Sequence, residues 1–151
     1  MHNRKVRNFA VAAVTIFSAF FLAIVNAADA SASTAPICSG GAPRDCIQIF
    51  GSGLNITEED GWIWNNTSAS IPSAHIEFYS AFHNQSPLAP GSAPFVNQGV
   101  GRVDPNSNSV AALIDPPQPN SDIYECDASW QDNGSQHILL GWACGYVHGI
   151  V

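Results

Sequence analysis

The chain has 151 residues and a formal net charge of −7, which is enough length for one domain with a sizeable core. Three of its five cations, Arg4, Lys5 and Arg7, precede residue 28, so the remaining chain sets two arginines against twelve carboxylates, a net charge of −10. Binding to nucleic acid or to anionic lipid needs clustered Lys and Arg side chains. Two arginines do not form such a cluster, so we expect neither partner.

The first residues have the three parts of a secretory signal peptide. Basic residues precede an apolar run at residues 9–25, and small residues follow at 25–27 and 28–30. We predict that residues 1–27 are a signal peptide, residues 28–37 a flexible leader and residues 38–151 a single β domain. The alternative is an uncleaved anchor, for which this apolar run is barely long enough. The prediction places the protein outside the cell, secreted and free of the membrane.

Four cysteines, Cys38, Cys46, Cys126 and Cys144, are typical of a secreted domain with two disulfides. We predict the pairs Cys38 with Cys46 and Cys126 with Cys144, because each closes a short local loop. The two crossed arrangements are the alternatives. A zinc site is the rival interpretation of four cysteines, but the chain has no Cys-x-x-Cys spacing to favour it.

Short strands separated by turn signals occupy the chain from residue 46 onward. Predicted strands cover residues 46–50, 54–56, 62–64, 74–83, 95–103 and 110–114. Predicted turns and loops cover residues 51–53, 58–61, 65–72, 84–94, 104–107 and 115–119. The first of these turns indicates a bulge or bend, and the second is an acidic turn.

The stretch at residues 74–83 alternates as a half-buried strand does. Its inward residues are Ile76, Phe78 and Phe82, and its outward residues are His75, Glu77, Tyr79 and His83. A helix capped by Ser73 is the alternative. The aromatic content and the Pro-Gly loop that follows favour the strand.

The last part of the chain predicts a β-hairpin. Residues 124–130 alternate apolar and polar, residues 132–135 form a turn, and a second alternating run begins at Ile138. We expect Cys126, Cys144, Trp130 and Trp142 on the inward faces of the two arms. Seven or eight short strands indicate an all-β fold, an antiparallel β-sandwich or small barrel.

Two patterns resemble metal sites, and neither is complete. His75 and His83 share a face with Glu77, but eight residues of straight strand separate the histidines by roughly 26 Å. The remaining candidate ligand set for a metal ion is His75 and Glu77, together with His137 or His148 from a distant part of the sequence.

Residues 104–115 have some of the oxygen-ligand spacing of a calcium loop, but Pro105 follows the first ligand and Ser109 replaces the expected glycine. A β-turn explains the same residues. We assign no metal and no cofactor.

Trp62 and Trp64 share one face of a strand, where they either belong to the core or form an aromatic platform for sugars or a partner protein. The predicted binding surface joins this region, residues 58–64, to the outward face of His75, Glu77 and Tyr79. The alternative function is a small extracellular hydrolase that pairs Glu77 with Glu58, Glu59 or Asp60. The chain has no Gly-x-Ser-x-Gly elbow and four cysteines expected as disulfides, so we assign no catalytic residue.

Two short stretches of the chain resemble a known group of proteins. They are Cys46 with Gly51-Ser52-Gly53-Leu54, and Cys144-Gly145-Tyr146-Val147-His148 near the C-terminus. The pattern resembles small exported bacterial proteins with a cysteine pair at each end. This resemblance implies export and β structure and transfers no catalytic residue. We expect a secreted, non-catalytic binding or interaction domain for an extracellular glycan, cell-envelope component or protein.

Overall fold

Two antiparallel sheets of four strands pack face to face in the computed structural model, which describes residues 34–89 and 91–148. Sheet A has the order β1-β2-β3-β6 and sheet B the order β5-β4-β7-β8. The strands are β1 (Ile37–Cys38), β2 (Arg44–Ser52), β3 (Asn55–Asn65), β4 (Ile71–Ala81), β5 (Val96–Val103), β6 (Ser107–Ile114), β7 (Ile123–Asn133) and β8 (Gln136–Val147). The predicted antiparallel sandwich is confirmed, and the sheets do not close into a barrel.

Apolar side chains from both sheets meet in the interior of the sandwich. Ile63 of sheet A packs with Ile76 and Phe78 of sheet B, and all three are fully buried. A second cluster joins Ile47 and Ile49 to small residues of β8. No helix in the described part of the chain is long and apolar enough to span a membrane.

The predicted interruption after Phe50 is confirmed, because the pairing of β2 with β3 shifts register between Phe50 and Gly51. The turn at residues 104–107 also forms, but it carries the chain from β5 in sheet B to β6 in sheet A. Asn106 adopts a φ of 56° there, a left-handed conformation that asparagine tolerates.

The acidic turn predicted at residues 58–61 is wrong, because these residues belong to β3. They pair with β2 on one side and β6 on the other, so their backbone groups are satisfied within the sheet. The alternation of the strand turns Glu59 and Gly61 into the sandwich and leaves Glu58 and Asp60 on the outer face. Composition indicated a solvated turn, whereas the strand buries one of the acids.

The terminal hairpin is confirmed, but its faces point the opposite way from the prediction. Asp127 and Ser129 face sheet A, where the Ser129 hydroxyl donates to Asp45 and Gly61 lies against the Asp127 carboxylate. Cys126, on the other face, is fully buried. The loop residue Gln85 lies against that outer face, where its carbonyl oxygen accepts a 2.9 Å hydrogen bond from the Tyr79 hydroxyl.

Small residues of β8 allow the two sheets to approach closely. A Cβ atom at Gly141 would lie 2.9 Å from the Asp45 Cβ, and one at Gly145 would lie 2.5 Å from the Ile49 Cδ1. Cβ atoms do not tolerate such distances, so a larger residue at Gly141 would displace β2 at Asp45, and one at Gly145 would displace the end of the Ile49 side chain. The small face of this strand is therefore its interior face.

Both predicted disulfides are confirmed, Cys38 with Cys46 and Cys126 with Cys144. Each joins residues that lie directly opposite one another on paired strands, with Cα atoms 4.0 Å apart. Two intramolecular disulfides are typical of an extracellular or otherwise oxidising environment.

The ends of several predicted segments differ from the structure. Phe82, predicted inward, lies beyond β4 and is 80% exposed. Thr34, within the predicted leader, is tied to β2 because its amide donates to the Ile49 carbonyl over 3.0 Å. The predicted signal peptide and the earlier leader residues lie outside the described residues.

Candidate functional site

Trp62 and Trp64 lie on the outer face of sheet A and line an open groove. β3 places them there because Ile63, between them, is fully buried in the sandwich. Trp64 is 45% exposed, and Trp62 is half-buried. The groove has a volume of about 370 Å³, and its other lining residues are Asn106, Ser107 and Asn108.

The register of sheet A surrounds Trp64 with polar groups. Its partners across the sheet are Arg44 on β2 and Asn108 on β6. The Arg44 guanidinium carbon lies 5.5 Å from the Trp64 ring centroid, which is within cation–π range. The amides of Asn106 and Asn108 add donors and acceptors without charge. The groove therefore combines exposed aromatic surface with neutral hydrogen-bonding groups.

A second constellation lies on the outer face of sheet B, where three neighbouring strands each contribute one side chain. His75 is on β4, Asp132 is near the end of β7, and His137 lies directly opposite Asp132 on β8. The Nδ1 atoms of His75 and His137 are 2.8 Å and 2.7 Å from the same oxygen, Asp132 Oδ1. Long-range strand pairing, rather than spacing along the chain, brings these groups together.

The protonation of this constellation follows from the charge of Asp132. Burial raises the pKa of this carboxyl, but the hydrogen bonds with His75 and His137 outweigh it and hold the pKa below its usual value. An ionised carboxylate only accepts hydrogen bonds, so each Nδ1 carries a proton and donates it to Asp132. On its other side, His75 Nε2 lies 3.7 Å from Glu77 Oε1.

Four carboxylic side chains lie in the interior between the sheets: Asp45, Glu59, Glu125 and Asp127. Both arginines of the described residues are engaged elsewhere, since Arg44 lies over Trp64 and Arg102 pairs with Asp104 at 2.7 Å. No cation therefore neutralises the interior acids within the described part of the chain. Protons must do so, because an isolated buried carboxylate is too costly to keep ionised.

Burial raises the pKa of every acid in this interior group. It raises the pKa of Glu59 to about 8, with a further contribution from Glu125. It raises the pKa of Glu125 to about 7 against the opposing 2.6 Å hydrogen bond that Ser80 donates. The pKa of Asp45 rises to about 6, since its hydrogen bonds offset part of the burial.

Asp127, like Glu59, has no hydrogen-bond partner for either carboxyl oxygen within the described residues. Burial and the neighbouring Asp45 and Glu59 raise its pKa well above the usual value. A proton held between Asp127 and Asp45 supplies the missing hydrogen bond, and this joins sheet B to sheet A.

The residues predicted to form one binding surface lie on opposite sides of the molecule. Trp62 and Trp64 are on the outer face of sheet A, whereas His75, Glu77 and Tyr79 are on the outer face of sheet B. Tyr79 is only 1% exposed and His75 only 6%. The structure thus provides two separate candidate sites.

The carboxylates considered for hydrolysis are also not brought together. Glu58 and Asp60 are on the outer face of sheet A, and Glu59 is buried between the sheets. Glu77 lies on the opposite side of the sandwich, on the outer face of sheet B beside His75. Hydrolysis of a glycosidic bond needs two carboxyl groups that face each other across one cleft, and these four residues do not provide such a pair.

Sequence reasoning named His137 only as a distant partner and missed Asp132 and Arg44. It considered Asn106 and Asn108 only as part of a calcium-like loop, not as neighbours of the tryptophans. The pairing of Asp132 with His137 could have been predicted from the sequence Asp132-Asn133-Gly134-Ser135-Gln136-His137. A tight turn at Gly134 in this stretch sets Asp132 opposite His137.

No family model, curated protein or solved structure matches this chain significantly.

Proposed function

We propose that this protein is an exported, non-catalytic binding domain whose Trp62–Trp64 groove holds a neutral saccharide. The observation that carries the proposal is the exposed indole of Trp64 beside the amides of Asn106 and Asn108 in one groove. Binding sites of this kind combine aromatic surface with a few polar groups that fix orientation.

The chemistry of the groove fits a sugar ring. Pyranose rings present apolar C–H faces that pack on indole, and their hydroxyl groups pair with amide donors and acceptors. None of the residues that line the groove carries a charge, and the Arg44 guanidinium lies over the Trp64 ring rather than in the lining. These features favour an uncharged oligosaccharide over an acidic one.

Export is supported by features outside the groove. The two disulfides are suited to an oxidising compartment, and residues 1–27 have the basic, apolar and small-residue order of a signal peptide. An extracellular position would bring the groove into contact with the glycans of cell envelopes.

Replacing Trp64 by alanine is expected to weaken saccharide binding by about 10-fold to 100-fold. Removing the indole loses roughly 1.5–3 kcal/mol of apolar burial, and 1.4 kcal/mol corresponds to tenfold in Kd. Isothermal titration with cellohexaose, xylohexaose, mannohexaose and chitohexaose measures this effect. We expect at least one of these to bind the native chain with a millimolar or lower Kd.

Tyr146→Ala is the matched control, because Tyr146 is an aromatic residue with 47% exposure on the outer face of sheet B. We expect it to leave the Kd unchanged, and Trp64→Phe to retain most of the affinity. Equal losses in Trp64→Ala and Tyr146→Ala would contradict the assignment of the groove. So would a failure of the native chain to bind any of the four oligosaccharides.

A further inference from the structure

We propose that His75, Asp132 and His137 form a binding site for one divalent transition-metal ion, zinc or copper, with Glu77 orienting His75. This site lies on the outer face of sheet B, away from the Trp62–Trp64 groove, and is independent of the saccharide proposal. Two imidazoles and one carboxylate with an open position are a common ligand set for such ions.

The donor atoms already converge on one point. The ligand atoms of the three residues all lie within 4.8 Å of one another. In a tetrahedral zinc site with bonds of about 2.0–2.1 Å, neighbouring ligand atoms are about 3.3 Å apart. The two Nδ1 atoms are 2.8 Å and 2.7 Å from Asp132 Oδ1, so each separation has to open by only about half an ångström.

Binding requires a change of tautomer at both histidines. In the metal-free arrangement, both Nδ1–H groups donate to Asp132. When the ion binds, each ring loses its Nδ1 proton to solvent and takes up one at Nε2, so that each Nδ1 lone pair and the Asp132 oxygen become metal ligands. Two neutral imidazoles release no net proton in this exchange, so the charge of the site rises by two, from −1 to +1 for the two histidines and Asp132.

Glu77 is placed as the outer partner of a metal-bound histidine. Histidine ligands usually donate the other ring N–H to a carboxylate or carbonyl, which fixes the tautomer and the ring orientation. With His75 Nδ1 on the metal, Nε2 carries the proton, and it faces Glu77 Oε1 at 3.7 Å. His75 also stacks on Trp130, with ring centroids 6.3 Å apart, so its ring has little freedom to turn.

Space for a further ligand lies beside the histidines. His75, His137, Glu77, Asn97 and Trp130 line a cavity of about 190 Å³. A water molecule occupies about 30 Å³ in the liquid, so this cavity accommodates water or a small group of a second molecule as the fourth ligand. His75 is nearly buried, whereas the His137 side chain is 59% exposed and gives an ion access from solvent.

Isothermal titration of the purified chain, without an affinity tag, with zinc chloride tests the proposal. We expect one equivalent to bind with a micromolar or lower Kd, and neither Ca²⁺ nor Mg²⁺ to compete at millimolar concentration. His137→Ala should weaken binding at least 100-fold. Glu77→Gln, which removes no ligand, should weaken it about 10-fold to 100-fold.

His83→Ala is the matched control, because His83 is an exposed histidine in a loop outside the constellation. We expect its Kd to equal that of the native chain. Circular dichroism establishes that each variant is folded, and electron paramagnetic resonance of the Cu²⁺ complex should show two coordinated nitrogens that fall to one in His137→Ala. The absence of saturable binding below 100 µM zinc, or equal losses in His83→Ala and His137→Ala, would overturn the proposal.

Discussion

Acidification from pH 8 to pH 4.5 is expected to raise the free energy of unfolding by on the order of 10 kcal/mol. The cause is the group of interior acids, whose pKa values are higher in the folded chain than in the unfolded chain. Their stabilising contribution is complete below the unfolded pKa values, 3.8 for Asp45 and 4.5 for Glu59 and Glu125. It is lost as the pH rises through the folded values of about 6, about 8 and about 7, respectively.

Urea unfolding at pH 4.5, 6, 7 and 8 measures this dependence. Each proton that the folded state holds and the unfolded state has lost contributes about 1.4 kcal/mol per pH unit. Asp104 and Asp132 act in the opposite sense, because their pKa values are lowered in the fold. Their contribution is lost only at a pH near or below the unfolded value of 3.8, so a scan that stops at pH 4.5 leaves it almost unchanged.

Glu59→Gln assigns the pH dependence to the interior. Glutamine is a neutral side chain of the same shape, so the variant should lose part of the slope and be more stable than the native chain at pH 8. Glu58→Gln is the matched control, because Glu58 is the adjacent residue on the outer face. A stability that is flat or increases from pH 4.5 to pH 8 would contradict the protonated interior.

Removing the disulfide of β7 and β8 with Cys126→Ala and Cys144→Ala is expected to cost about 3 kcal/mol of stability. The bridge spans 18 residues, and the entropy of closing such a loop in the unfolded chain corresponds to about 3 kcal/mol. Both cysteines are also buried in the cluster with Tyr79 and Ala128, so the change leaves a packing defect. Urea unfolding at pH 6 measures the loss.

Cys38→Ala with Cys46→Ala is the comparison variant. That bridge spans 8 residues and ties only the two-residue strand β1 to the edge of sheet A. β1 can detach while the rest of the sandwich stays folded, so we expect a smaller loss. A loss equal to or larger than that of the Cys126 and Cys144 variant would show that β1 contributes to the global transition.

The local features of this fold could be predicted from the sequence. Turn residues and two-residue alternation are local signals, and they located the terminal hairpin, the strand containing Ile76 and Phe78, and both disulfides. Cys126 and Cys144 are recognisable as partners because they lie on the two arms of one hairpin, and a register shift between Ser129 and Trp130 sets them directly opposite one another.

The direction of each strand face could not be predicted in the same way. Alternation shows that Asp127 and Ser129 share a face, but not that this face meets the other sheet. The expectation that acids face solvent gave the wrong direction for β7 and the wrong structure for residues 58–61. Glu59 and Asp127 can be buried because burial raises the pKa of each carboxyl so that it holds a proton, which a charge count at neutral pH does not reveal.

The candidate metal site depends on pairing between strands that are distant in the sequence. His75 meets Asp132 only because β4 pairs with β7, across a separation of 57 residues. The Trp62–Trp64 groove likewise needs β6 beside β3 to bring Asn108 next to Trp64. The periodicity of a single strand predicts neither the contact of His75 with Asp132 nor the position of Asn108 beside Trp64.

The indole N–H signals of the four tryptophans test the proposed binding groove most directly. ¹H–¹⁵N spectra recorded during addition of the tightest-binding of the four hexasaccharides should show the signals of Trp62 and Trp64 shifting with saturation. Those of Trp130 and Trp142, on the outer face of sheet B, should stay in place. Shifts confined to Trp130 and Trp142, or no shift with any of the four hexasaccharides, would contradict saccharide binding at the groove.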